Sequence, residues 1–94
     1  MTDKLPLHAA IDIMQNPPSA EELGDLAVGD FVKVGSGVNG QGSEAFWVII
    51  DRIDGDSIYG EVNNQLRHTD HHGYFSGQKI VLDMSNVFQF IYND

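Results

Sequence analysis

The chain has 94 residues and a mass of 10.4 kDa, which fits one domain with one small core. Its formal net charge is -9, and Lys4, Lys33, Arg52, Arg67 and Lys79 are scattered among 14 acids. Direct nucleic-acid binding, which draws on clustered Lys and Arg, is therefore not expected. With no cysteine, disulfides, thiolate metal sites and cysteine nucleophiles are excluded.

No apolar run approaches the ~20 residues of a membrane helix. The start "MTDKLPLHAA" lacks the pattern of a secretory leader, so a cytoplasmic protein is expected. The acidity has two readings. One is solubility. The other is imitation of a phosphate backbone, which would let the protein occupy a basic site on another protein.

Residues 1–28 read as an arm. Leu7, Ala10, Ile11 and Met14 stand at helical spacing behind Pro6, although "AAIDIM" also alternates like a strand. "NPP" at 16–18 ends any helix there. Ser19, three residues before Glu22, then forms a capping-box pattern, and Gly24 keeps the helical turn short.

From Gly29 the pattern changes to strands. In "GDFVKVGSG", Phe31, Lys33 and Gly35 alternate with Val32 and Val34. The glycine-rich run with Gly35, Gly37, Gly40 and Gly42 reads as a mobile surface loop. It lacks the Gly-Lys-Ser/Thr ending of a phosphate loop. "AFWVIIDRI" is the strongest strand, with Phe46, Val48 and Ile50 on one face and Trp47 and Ile49 on the other. Both faces then need a cover, which the arm or a second subunit would supply.

Asp54-Gly55 supplies a hairpin turn, and the turn accounts for the carboxylates Asp51, Asp54 and Asp56 without catalysis. Gly60 marks a sharp strand bend. "GQKIVLD" and "NVFQFIY" are the last two strands. Short strands in this order predict a mainly β fold, a small SH3-like five-stranded barrel spanning 29–94, with the helical arm of 1–28 packed on it.

Gly29-Asp30-Phe31-Val32-Lys33-Val34, Phe46-Trp47-Val48, Gly60 with Asn63, and Gly77 with Asn86-Val87 resemble, as an ordered set, a family of small bacterial and phage domains. That family is catalogued as domain of unknown function 2314, and the resemblance covers about residues 28–91. Two positions depart from its pattern: Ala45 stands where an Arg is usual, and Asn63-Asn64-Gln65 stands where an Asn-Asp-Pro turn is common. The resemblance implies a fold and no activity.

The candidate chemistry centres on "NNQLRHTDHHGYFSG". His68, Asp70, His71 and His72 are weak candidate metal ligands, since a helical turn over 66–72 ended by Gly73 would bring the imidazoles to one face. A catalytic base is a second reading, and the reading adopted over both is a solvated loop that serves recognition. His8 is the one distant histidine. Trp47 reads either as wall packing or as an interface anchor with Tyr59 and Tyr74.

No nucleophile constellation or cofactor motif is present. The sequence therefore predicts a non-enzymatic protein-binding module without cofactor, monomeric or homodimeric. Its surface would draw on Trp47, Tyr59, Glu61, Asn64, Arg67, His68, Asp70, His71, His72 and Tyr74, extended by the 35–43 loop. The alternatives are a phage-type acidic inhibitor of a host enzyme that handles DNA or RNA, and a metal-binding protein using the histidine loop.

Overall fold

A computed structural model of the chain describes residues 4–38 and 41–93. Five strands form one antiparallel sheet: β1 (Phe31–Ser36), β2 (Glu44–Asp54), β3 (Ser57–Val62), β4 (Lys79–Asp83) and β5 (Gln89–Ile91). Their order across the sheet is β4-β3-β2-β1-β5. Alternation decides the faces. Val32, Val34, Phe46, Val48, Ile50, Ile58, Val62, Ile80 and Leu82 turn inward and are buried. Leu23, Leu26, Tyr74 and Val87 complete this core.

Two glycines make the β2–β3 pairing possible. Gly55, at φ +61°, opens the two-residue turn between Asp54 and Ser57. Gly60 lies opposite Ile50, where the register of β2 shifts before Arg52. A Cβ at Gly60 would stand 2.5 Å from the Ile49 carbonyl oxygen and 2.6 Å from a Val48 methyl, so β2 approaches too closely for any side chain there.

The expected barrel does not form. β4 pairs with β3 and β5 with β1, and no ladder joins β4 to β5. β5 is short and covers only Phe31–Lys33 of β1. Further along β1 the arm takes the edge, through a bridge of Leu7 to Ser36 and the His8 N–H bond to the Gly35 oxygen at 2.8 Å. Between the arm and β4 lies a cleft of about 400 Å³ lined by Leu7, Tyr74, Leu82 and Asn86 among others. This cleft separates the arm from the outward edge of β4, which pairs with no strand among the described residues.

The arm is less helical than its spacing suggests. Residues 4–9 form no helix and carry one bridge at Leu7, and a 3-10 turn follows at Ala10–Asp12. Leu7 and His8 spend their backbone groups on β1, while Ile11 and Ile13 stay exposed. The capping box is present: α1 (Ala20–Gly24) starts at Ser19, which exchanges hydrogen bonds with Glu22. Leu23 thereby reaches the core. No helix among the described residues is long and apolar enough to cross a membrane.

Candidate binding surfaces

The histidine-bearing connection folds around one carboxylate. A short helix, α2 (Thr69–His72), ends at Gly73, which takes φ +89°. Glu44, at the start of β2, reaches beneath it. Its Oε1 accepts the His68 N–H at 2.7 Å, the Arg67 N–H at 3.0 Å and the His72 ring at 2.7 Å. Burial pushes the Glu44 carboxyl up, but the His72 bond and the two backbone N–H groups outweigh it and hold the pKa below its ordinary value.

His72 is fully buried, and its ring roles are fixed by its neighbours. Nδ1 accepts the Tyr74 N–H at 3.1 Å, so Nε2 carries the proton and donates to Glu44. The ring lies 6.1 Å from Phe46 and 5.8 Å from Tyr74 between centroids. Tyr74 is also buried. Its hydroxyl donates to the Leu5 oxygen at 2.9 Å, and burial pushes its pKa up.

The other histidines are also placed by structure. His8 Nε2 meets the Gly37 carbonyl at 2.7 Å; a carbonyl only accepts, so this nitrogen donates. The His71 ring lies over Gly42, where a Cβ would come within 3.3 Å of it. Its buried Nε2 has no hydrogen-bond partner among the described residues. Asp70 is exposed. Among the described residues, no three His, Asp or Glu side chains gather as a metal site. The chelating face imagined for 66–72 fails because His72 turns into the core with both nitrogens engaged.

The second surface is the outer face of the sheet. Register places Ile91, Phe31, Ile49, Glu61 and Lys79 in one row across it, and Gln89, Lys33 and Trp47 in the next. Trp47 is half-buried, with the Lys33 Nζ 5.4 Å from its ring. Asn64 Oδ1 accepts the Trp47 N–H at 3.1 Å. A cleft of about 280 Å³ opens among Phe31, Trp47, Asn63 and Ile91.

Tyr59 lies under Arg52 at 4.0 Å, and Glu61 pairs with Lys79 at 3.2 Å. Beside Ile91, Tyr92 has its pKa raised by burial first and then by Asp25, Glu22 and Asp30. Of the two expected covers, the arm does not serve through Leu7, which packs on the inner core.

The ten residues singled out by sequence thus separate. Trp47, Tyr59 and Glu61 lie on the outer face. Asn64 supports Trp47, Arg67 and His68 present backbone to Glu44, and His72 and Tyr74 are core. Sequence reading missed Glu44, whose role depends on a contact 28 residues away, and Phe31 and Ile91, which join Trp47 only through strand register. In the 35–43 loop, residues 39 and 40 lie outside the described residues, Gly40 with them.

No protein-family model matches this chain, and no curated protein or solved structure matches it either.

Proposed function

We propose that the protein is a non-enzymatic binding module whose docking face is the outer surface of the sheet around Trp47. The observation that carries this reading is the row Ile91–Phe31–Ile49 beside Trp47, apolar, in register and without a described cover. The side chains best suited to proton chemistry, His72, Glu44, Tyr74 and His8, hold the fold together instead.

The occupant is a protein segment that places apolar side chains over Trp47 and Phe31, with Lys or Arg at its rim. The chain's charge of -9 and the carboxylates Glu22, Asp25 and Asp30 around Tyr92 favour that basic rim.

The test is capture from bacterial lysate with wild type and Trp47→Ser, washed at low and moderate salt and read by mass spectrometry. A protein held at moderate salt by wild type and lost by Trp47→Ser is the expected result. A protein that both chains hold at low salt and release at moderate salt overturns this reading in favour of the acidic inhibitor.

A further inference from the structure

β4 is an edge strand, and its backbone shows which way its free groups point. At one end Val62 N–H bonds the Gln78 oxygen, and at the other Met84 N–H bonds the Asp56 oxygen, each at 2.9 Å. Antiparallel pairing alternates, so even-numbered residues of β4 spend their groups on β3. Lys79, Val81 and Asp83 turn theirs outward. Asp83 N–H is taken by Asn86 Oδ1 at 2.8 Å. Among the described residues, no partner meets the outward groups of Lys79 and Val81. Val81 is 57% exposed.

The sequence of this edge, Lys79-Ile80-Val81-Leu82-Asp83, is complementary to itself when reversed. We propose that the chain forms a two-fold dimer by antiparallel pairing of β4 with β4 of a second copy, centred on Val81. In that register Lys79 lies opposite the partner's Asp83 at both ends, and Ile80 lies opposite the partner's Leu82. Val81 meets its own counterpart on the axis. Such an interface is isologous, and its opposite charges fix direction and register.

The Val81 pair exchanges two hydrogen bonds. Each Lys79 N–H adds one to the partner's Asp83 carbonyl, a group that the Asn86 contact leaves open. On the outer face Tyr59 already stands beside Val81, so the two sheets join in one row from Arg52 to the partner's Arg52. Lys79, which pairs with Asp51 at 2.8 Å and Glu61 at 3.2 Å in its own chain, also stands beside the partner's Asp83. The free edge that natural sheets avoid leaving bare is covered by the second copy.

The experiment is light scattering of the full chain over a concentration series, with far-ultraviolet circular dichroism to verify each variant's fold. Wild type is expected to reach twice the 10.4 kDa chain mass. Val81→Pro removes an N–H that β3 does not use, which an edge strand tolerates, and is expected to fall to the single mass. Val81→Lys and Val81→Glu each place like charges on the axis and are expected to be monomeric alone. Mixed in equal amounts they are expected to regain the double mass. Trp47→Ser is expected to leave the dimer intact. A wild type at the single mass at every concentration overturns the proposal. So does a dimer that survives Val81→Pro, or one that Trp47→Ser dissolves.

Discussion

The histidine connection and the outer sheet face hold the same kinds of side chain, and the fold uses them in opposite ways. Around α2 the polar groups converge on one another: Glu44 takes two backbone N–H groups and an imidazole, and His72 has no nitrogen left. On the outer face Trp47, Phe31 and Ile91 surround a cleft that no described element fills. Residue types that suggest chemistry are thus satisfied inside the molecule, while the residues that suggest packing are left to face outward. A binding surface is recognised by what remains unpartnered, and that is a property of the fold.

The strongest way to break this contrast is Glu44→Ala. It leaves the Arg67 and His68 N–H groups and the fully buried His72 ring without their acceptor. The expected loss is about 3 kcal/mol, measured by urea unfolding, with Trp47 fluorescence as an independent probe of the outer face. If the histidine connection were a detachable recognition loop, the loss would stay within about 0.5 kcal/mol, as for an ordinary surface substitution.

The same carboxylate gives the comparison a pH dependence. Glu44 is held below its ordinary value near 4.5 in the folded chain. Its contribution is full above the unfolded value and is lost as pH falls through the lower, folded one. The urea midpoint of wild type is therefore expected to drop as pH is taken below 4.5. Glu44→Gln, with no proton to gain at that position, starts lower and drops less. Parallel curves would mean that Glu44 has the same pKa folded and unfolded.

Much of the fold was legible because it rests on local rules. Alternation in Phe31–Gly35 and Phe46–Ile50 separated the two faces, though not which one turns inward. The Ser19–Glu22 box marked α1, Gly55 marked the turn, and Gly60 was read as a bend where the structure shows a close approach beside a register shift. Barrel closure was not legible, because it depends on whether the arm or another strand takes the edge of β1, and the arm's own sequence suited a helix as well as a strand. The candidate site was half legible. Trp47 stood out as a lone indole, but Phe31 and Ile91 join it only through the β1–β5 register. The clustered imidazoles drew attention by type, while the group that organises them, Glu44, was an unremarked acid at the end of a glycine loop.

Trp47→Ser sharpens the comparison from the other side. The ring is half-buried and lies over Lys33 on a face that holds no core residue, so the expected loss of stability is only about 1 kcal/mol. Capture of a partner is expected to disappear with it. A loss of about 3 kcal/mol or more, of the size reached by deleting a large core side chain, would make Trp47 a core residue in energetic terms and remove the basis for the docking face.

The smallest expected effect tests where the two regions meet. Asn64 belongs to the histidine connection by sequence, but its Oδ1 accepts the Trp47 N–H and its Nδ2 donates to the Gln65 oxygen. Asn64→Ala removes one partly buried hydrogen bond to β2, with an expected cost of about 0.5–1 kcal/mol by urea unfolding. Asn64→Asp keeps the acceptor and is expected to recover most of it. If Asn64 serves the docking face, Asn64→Ala also weakens partner capture, because the strand that carries Trp47 loses a support next to the indole, and Asn64→Asp restores it. If both variants lose stability equally, the Gln65 contact matters more than the Trp47 contact, and Asn64 belongs energetically to the connection that holds it.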